Sequence, residues 1–365
     1  MHSVKITISF TDIANFTTMC QNINTTQLAT LIRIYFETMS DIVMANGGVV
    51  DKYIGDCIMA LWGTPTLIDS VNMRACAAAL TMLYATNLPR MREAFRKAGC
   101  RQLRIRTGIH HGNCLAGNMG TRRRLNYTVV GDAVNLAARM EAMNKDFETN
   151  ILIMEDVVVE ERLHTTFVLR LLGNVQAVGR TVSTKVYELV GAIPDSSAEP
   201  LEPQEQEQPL PPLEAPLESQ EARVSNFDDN VFLADVLESS LGSFCRLSRR
   251  SIPDDESSLF VSRLRQKSVA APAEMQCFPA DEILLLLHEG AGKCSLEALR
   301  YAAGFSEAME AYLAREFDKA ATLLRNLSEV GSRDRYHERM ILTCEAFVKA
   351  PPDMSWTGMF ASEHK

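Results

Sequence analysis

Two aspartates and an asparagine–arginine pair have the types and spacing to bind a phosphorylated ligand. Asp12 and Asp56 each follow a run of β-forming residues and lie beside a turn. Carboxylates in such places are suitable ligands for Mg²⁺, which prefers oxygen donors. Asn135 and Arg139 are four residues apart, so on a helix both project from one face. An amide and a guanidinium on one face suit hydroxyls and phosphates, although the polar outer face of a surface helix has the same pattern.

The elements that must position these side chains follow from the periodicity of the apolar residues. A strand is predicted over residues 4–10, and a hairpin over Val49–Ile54 and Cys57–Trp62. Asp132 is the predicted N-cap of the helix that carries Asn135. Further predicted elements are a helix capped by Asn24, a long helix over residues 69–97, a short helix near 155–162, and strands over 103–111, 113–118, 127–130, 150–154, 167–172, 175–178 and 184–190. Strands and helices alternate around one mostly antiparallel sheet, which predicts an α+β fold.

The second half of the chain has a different composition. Residues 194–222 are rich in Pro, Glu, Gln and Ser, and we predict a largely disordered linker over residues 193–280. Residues 281–365 predict a helical tail, in which residues 306–327 resemble the turn region of a tetratricopeptide hairpin. One such hairpin cannot bury its own apolar face. We therefore expect it to pack on the rest of the chain, on a second copy or on a protein partner, and an ordinary helical bundle remains an equal alternative.

Composition limits the partners and the location. The chain has 365 residues, of which 46% are hydrophobic, and a net charge of −9. The negative charge argues against a nucleic-acid-binding protein, so any phosphate must be bound by a local basic site. The nine cysteines form no CxxC pair, which favours reduced thiols. No apolar run is long enough to span a bilayer and no signal peptide is recognisable, so we predict a cytoplasmic protein without a membrane segment.

Four stretches of the first half resemble the catalytic domain of the class III nucleotidyl cyclases, the adenylyl and guanylyl cyclases. They read FTDIANFT, DKYIGDCIMALWG, RTGIHHGNCLAGNMG and NYTVVGDAVNLAARME, in the order and with the spacing of that family. The resemblance implies a ferredoxin-like core within residues 1–192, built from a mostly antiparallel sheet with flanking helices. It also implies a reaction on a nucleoside triphosphate with two divalent ions, Mg²⁺ or Mn²⁺.

The resemblance implies a role for each matching residue. Asp12 and Asp56, with the backbone of Ile13, are expected to hold the two ions. Asn135 and Arg139 are expected to hold the ribose and the phosphate whose charge grows in the transition state. The base is expected to contact Lys52 and Thr128. The other expected nucleotide contacts are the backbone N–H groups of Ile13, Ala14, Asn15 and Phe16 and the side chains of Arg124 and Arg180.

Lys52 and Thr128 favour ATP over GTP. A lysine can donate to N1 of adenine, and a threonine hydroxyl can accept from its exocyclic amine. Guanine has a donor at N1, which a lysine cannot satisfy. We therefore predict an adenylate cyclase that makes 3′,5′-cyclic AMP and pyrophosphate. The family site lies between two catalytic domains, and this chain has both sets of residues in one domain, which predicts a homodimer.

Two departures from the family pattern keep other functions open. Asn15 stands where the family usually has glycine, and asparagine tolerates left-handed backbone better than other non-glycine residues. Val178 stands where relatives often have a phosphate-directed lysine, and Arg180 is the candidate substitute. The alternatives are a guanylate cyclase, a weakly active nucleotide-sensing module, and a scaffold that acts through its helical tail.

Overall fold

The structure is a computed structural model. It describes residues 1–21, 23–97, 99, 103–176, 183–193, 294–327, 334–353 and 355–360. Residues 194–280 of the predicted linker lie outside these ranges, as do Val178 and Arg180. No helix in the described part of the chain is both long and apolar enough to cross a bilayer.

The described residues form nine strands and nine α-helices. In chain order they are β1 (His2–Ile13), α1 (Phe16–Cys20), α2 (Thr25–Ala45), β2 (Val49–Ile54), β3 (Cys57–Trp62), α3 (Val71–Ala85), α4 (Pro89–Lys97), β4 (Ile105–Thr121), β5 (Arg124–Val130), α5 (Asp132–Phe147), β6 (Ile151–Met154), α6 (Glu155–Glu160), β7 (Phe167–Gln176), β8 (Ser183–Ala192), α7 (Leu296–Leu313), α8 (Phe317–Leu327), α9 (Arg335–Lys349) and β9 (Met359–Phe360). A short 3-10 helix, Leu163–Thr165, precedes β7.

All nine described strands belong to one sheet. Its order is β2-β3-β1-β4-β6-β8-β7-β9, and β5 also pairs with β4. The pairing is antiparallel except between β4 and β6 and between β7 and β9. The predicted α+β fold, with a mostly antiparallel sheet and flanking helices, is confirmed.

Local sequence signals placed several boundaries correctly. The hairpin of β2 and β3 has the predicted limits. Helix α2 begins after Asn24, whose side chain accepts a hydrogen bond from the N–H of Gln27 at 2.8 Å, as an N-cap does. The N-cap position of α5, however, is Gly131, and Asp132 is the first residue of the helix. The carboxylate of Asp132 therefore lies in the first turn, where it still complements the helix dipole.

Other boundaries differ from the prediction because a proline interrupts one predicted helix and a glycine does not separate two predicted strands. The helix predicted over residues 69–97 is divided into α3 and α4, because Pro89 has no N–H to continue the first helix. The two strands predicted around Gly112 are one strand, β4, in which Gly112 pairs with Ile6 of β1. Likewise, the strand predicted over 167–172 and the first two residues of the strand predicted over 175–178 belong to β7, which ends at Gln176; residues 177 and 178 lie outside the described ranges.

The contact of α5 with β4 is unusually close and requires glycine. A Cβ atom on Gly108 would lie 2.0 Å from the backbone nitrogen of Glu141 and 2.5 Å from the carbonyl oxygen of Ala137. Any side chain there would push the helix off the strand. The amide of Asn144 adds a hydrogen bond to the carbonyl oxygen of Thr107 at 3.0 Å. The helix that carries Asn135 and Arg139 is therefore fixed directly on the central strands.

The described part of the tail packs on the outer strands of the sheet. Leu171, Leu172 and Val186 of the sheet share one apolar core with Phe305 and Tyr336 of the tail. Strand β9 adds to the edge of β7, with Asn174 opposite Met359. Helices α7 and α8 form the predicted hairpin, and their tetratricopeptide character stays a prediction. Of the three packing partners predicted for this hairpin, the structure shows the first: the hairpin packs on the sheet of its own chain.

A buried arginine joins the tail to the sheet. The side chain of Arg170 is 4% exposed. Its Nε lies 2.7 Å from Glu188 of β8, and its Nη1 lies 2.6 Å from Asp334 of the tail. Its guanidinium carbon also lies 4.9 Å from the centre of the Phe305 ring. Asp334 is in turn the N-cap of α9, since it accepts from the N–H of His337 at 2.7 Å. One cation thus neutralises carboxylates from two parts of the chain.

We expect Arg170→Ala to lower the free energy of unfolding by about 3–5 kcal/mol, because it leaves two carboxylates with no cation between strand and helix. Urea denaturation of the full chain measures this. Fluorescence can follow it through Trp62 in the sheet and Trp356 in the tail, the only two tryptophans in the chain.

The matched control is Arg325→Ala, which removes a more exposed ion pair with Glu345. That variant is expected to lose no more than about 1 kcal/mol. Equal losses in the two variants would contradict a special role for the buried ion pairs.

Candidate active site

Asp12 and Asp56 lie beside each other where β1 ends and β2 turns into β3. The Oδ2 atom of Asp56 accepts a hydrogen bond from the N–H of Ile13 at 3.0 Å, which sets its carboxylate next to the residue that follows Asp12. Burial raises the pKa of Asp56; the hydrogen bond from Ile13 opposes this shift, and the charge of Asp12 adds to it. The two predicted metal ligands are therefore brought together by strand pairing.

Asp12 is also bound by Arg106, a residue that the sequence did not single out. Nε and Nη2 of Arg106 donate to the two carboxylate oxygens of Asp12 at 3.1 and 2.8 Å. Glu141 of α5 lies on the other side, with Oε1 at 3.2 Å from Nε of Arg106. This contact is within ion-pair distance, but Oε1 is buried and lacks an aligned hydrogen bond. Burial raises the pKa of Glu141 to about 8, and the charge of Asp12 contributes to the rise.

This donor set fits a divalent cation that is shared with a triphosphate. Arg106 lies between Asp12 and Glu141, and Asp56 lies beside Asp12. Because Glu141 has a pKa of about 8, the two aspartates carry the negative charge near neutral pH, and it exceeds the one positive charge of Arg106. No three His, Cys, Asp or Glu side chains of the described ranges are arranged to hold an ion by themselves. Mg²⁺ commonly uses one or two carboxylates and completes its shell with phosphate oxygens and water. Asp12 and Asp56 can supply the two carboxylates.

The loop after β1 bears on the expected contacts with phosphates. Asn15 adopts the left-handed conformation, with φ 60° and ψ 29°, which is the backbone expected where the family has glycine. However, the N–H of Ala14 donates to the carbonyl oxygen of Arg104 at 2.8 Å, and that of Ile13 donates to Asp56. In this structure both N–H groups are used within the chain, and the contact of Ile13 and Ala14 with phosphates stays a prediction that requires these two hydrogen bonds to open.

Lys52 and Thr128 are brought into direct contact, as the base-reading prediction requires. Nζ of Lys52 donates to Oγ1 of Thr128 at 3.1 Å, although the residues are 76 positions apart. Asp51, which the sequence did not single out, completes the cluster. Its Oδ2 accepts from Oγ1 of Thr128 at 3.0 Å and lies 3.2 Å from Nζ of Lys52. In the described chain, no hydrogen bond or ion pair connects this cluster with Asp12 or Asp56.

Of the remaining predicted residues, two lie on α5 and one on β5. Asn135 is exposed and Arg139 half-buried, one turn apart on α5. Arg124 is exposed at the start of β5, the strand that carries Thr128. Arg180 lies outside the described residues. For Asp51 and Glu141, which the sequence analysis missed, the only signal in the sequence is their position inside the matching stretches. Asp51 stands directly before Lys52, and Glu141 stands two residues after Arg139.

Known proteins resemble the first half of this chain. Adenylate cyclase 1 of Rhizobium meliloti is 34% identical over 189 residues, which are 52% of this chain and 28% of that protein. Adenylate cyclase of Anabaena cylindrica is 33% identical over 188 residues, 51% of this chain and 36% of that protein. The chain thus spans about a third of the length of these curated relatives. The crystal structure of the guanylyl cyclase Cya2 is 29% identical, with a TM-score of 0.46, and the match covers 52% of this chain and 94% of that one.

The family model described as the adenylate and guanylate cyclase catalytic domain matches residues 2–190. These residues contain both aspartates, the cluster of Asp51, Lys52 and Thr128, and the helix with Asn135 and Arg139. The match extends over just more than half of the 365 residues. The chain therefore belongs to the family of adenylate and guanylate cyclase catalytic domains.

Proposed function

We propose that this chain is an adenylate cyclase that converts ATP into 3′,5′-cyclic AMP and pyrophosphate for signalling. Catalytic domains of its family act on nucleotides, use divalent metal ions and dimerise. The observation that carries the choice of ATP is the hydrogen bond of 3.1 Å from Lys52 to Thr128. The names of the two curated relatives support the same choice.

The contact of Lys52 with Thr128 suits the edge of adenine. An ammonium group has three donors, so Lys52 can bind Thr128 and still donate to N1 of the base. A hydroxyl oxygen has two acceptor sites, so Thr128 can accept from Lys52 and from the exocyclic amine. Guanine presents an N–H at position 1 and an oxygen at position 6, and both would face groups of the same kind. Unsatisfied polar groups in a site cost affinity, so GTP is disfavoured.

The reaction requires positioning and neutralisation of charge. The 3′-oxygen of ATP attacks the α-phosphorus, a new O3′–P bond forms, the bond from the α-phosphorus to the bridging oxygen breaks, and the 3′-proton and pyrophosphate leave. Divalent ions at Asp12 and Asp56 would supply positive charge near the attacking and leaving oxygens. Arg139 binds phosphate oxygens on which charge grows, and Asn135 orients the ribose hydroxyls. No covalent link to the protein is needed.

Within the first loop, two of the four predicted residues are the better candidates for binding phosphate. The N–H groups of Ile13 and Ala14 donate within the chain. Asn15 and Phe16, at the turn into α1, are the positions from which the backbone can meet the triphosphate. Arg124 is a further candidate because its side chain is exposed on β5.

A homodimer follows from the way in which the site residues and apolar surface are arranged. The β4–β5 hairpin exposes large apolar side chains that a second copy could cover. They are Leu115 (49% exposed), Met119 (37%), Leu125 (59%), Tyr127 (37%) and Val130 (44%). Thr128 lies on this hairpin. We expect a dimer built on this hairpin to bring the cluster of Asp51, Lys52 and Thr128 in one copy close to Asp12 and Asp56 of the other copy.

We expect the full chain to make cyclic AMP from ATP with Mg²⁺ or Mn²⁺, and Asp56→Asn to lower the rate at least about a hundredfold, because it removes charge that holds the metal ions. Quantification of cyclic AMP and cyclic GMP from parallel ATP and GTP reactions measures this. Asp69→Asn, at an exposed position outside the site, is the control. Cyclic GMP as the main product would overturn the choice of ATP, and neither product from a chain that binds ATP would favour nucleotide sensing.

Lys52→Gln is expected to lower the preference for ATP over GTP by about ten- to a hundredfold, since a charged hydrogen bond to the base is lost. The ratio of kcat/KM for the two nucleotides measures the preference. Lys97→Gln, whose side chain is 72% exposed on α4, controls for the loss of one positive charge. An unchanged ratio in Lys52→Gln would show that this side chain does not read the base.

Two inactive variants test whether the site is shared between copies. Asp56→Asn and Arg139→Ala should each be nearly inactive, and their co-expressed mixture should regain about a quarter of the wild-type activity, because half of the dimers are mixed and each of those has one intact site. Cyclic AMP formation by the purified mixture is the measurement. No recovery from a mixture that is demonstrably dimeric would place all site residues within one copy.

A further inference from the structure

Asp51 occupies an irregular position in the pairing of β2 with β3. Val50 pairs with Ala60, but Lys52 pairs with Met59, so Asp51 is the extra residue of a β-bulge. In a regular strand, neighbouring side chains point to opposite faces of the sheet. A bulge changes the direction of a side chain and interrupts this alternation. Here it allows Asp51 and Lys52, which are consecutive, to reach the same partner, Thr128.

The carboxylate of Asp51 is buried within this cluster. Its side chain is 1% exposed, whereas the side chain of Lys52 is 45% exposed. Thr128 as a whole is 6% exposed. A buried carboxylate is stable only with partners for its charge and its lone pairs. Asp51 has both, because it lies 3.2 Å from the ammonium of Lys52 and accepts from the hydroxyl of Thr128 at 3.0 Å.

The hydrogen-bond count of the cluster fixes the direction of every bond. An ionised carboxylate can only accept and an ammonium can only donate. The single proton of the Thr128 hydroxyl must therefore point to Asp51, and its oxygen must accept from Lys52. One lone pair of that oxygen and at least one N–H of Lys52 remain for a ligand. The cluster then offers one acceptor beside one donor.

We propose that Asp51 is a positioning residue for base selection, which holds the Thr128 hydroxyl as a pure acceptor and the Lys52 ammonium beside it. The inference rests on the proposed function, in which Lys52 and Thr128 contact the base. A hydroxyl without Asp51 could rotate and donate to O6 of guanine as readily as it accepts from the amine of adenine. Asp51 removes that freedom, so the site reads a 6-aminopurine and rejects a 6-oxopurine.

The test compares Asp51→Asn and Asp51→Ala with the wild-type full chain. Both variants are expected to lower the ratio of kcat/KM for ATP to that for GTP by about tenfold or more, mainly through a lower KM for GTP and a higher KM for ATP. Equilibrium binding of α,β-methylene analogues of ATP and GTP gives the same ratio without turnover. The thermal midpoint of each variant shows whether it remains folded, and Asp69→Asn is the control for loss of one exposed carboxylate.

A double substitution separates this role from a structural one. In a Thr128→Val background, Asp51→Ala should leave the ATP to GTP ratio unchanged, because the hydroxyl through which Asp51 acts is absent. An equal effect in both backgrounds would overturn the inference, as would a wild-type ratio in both single variants. Failure of the proposed function gives a different result, because the wild-type chain then forms no cyclic product. If Asp51 still sets the base preference, its substitution changes the ratio of the affinities for the ATP and GTP analogues even then.

Discussion

The close contact of α5 with β4 at Gly108 is the constraint on which the rest of the site depends. With no side chain at that position, the helix backbone lies directly on the strand. Arg106, two residues before Gly108 on the same strand, then reaches Asp12 on one side and Glu141 of the helix on the other. The same helix carries Asn135 and Arg139. One glycine thus fixes Arg106 between Asp12 and Glu141, and it seats on the central strands the helix that is proposed to bind ribose and phosphate.

The site consists of two groups with different electrostatics. Around Asp12, three carboxyl groups lie near one guanidinium, and the raised pKa values of Asp56 and Glu141 reflect the cost of burying negative charge there. Around Thr128, one carboxylate and one ammonium neutralise each other. This cluster can therefore select a ligand by its pattern of hydrogen-bond donors and acceptors rather than by its net charge. The first group fits metal ions and phosphates, and the second fits a base. A nucleotide needs both, which is why a second copy of the chain belongs to the proposed function.

The tail packs against the sheet and contributes to its core. Its aromatic residues share a core with β7 and β8, and Arg170 pairs with carboxylates of both parts. The sheet would otherwise expose the outer faces of these two strands. Any change that loosens the tail would therefore also expose apolar surface on the catalytic domain.

The sequence by itself determined the fold class, the hairpin of β2 and β3, and the identity of Asp12, Asp56, Lys52, Thr128, Asn135 and Arg139 as candidates, because strand–turn–helix patterns and family stretches are local. Only the tertiary structure decided that Asp51, Arg106 and Glu141 join them. Their contacts depend on a β-bulge, on the register of β1 against β4, and on a helix lying over glycine. It also decided that the N–H groups of Ile13 and Ala14 are used within the chain. Such contacts join residues far apart in sequence, and no local pattern specifies which of them will meet.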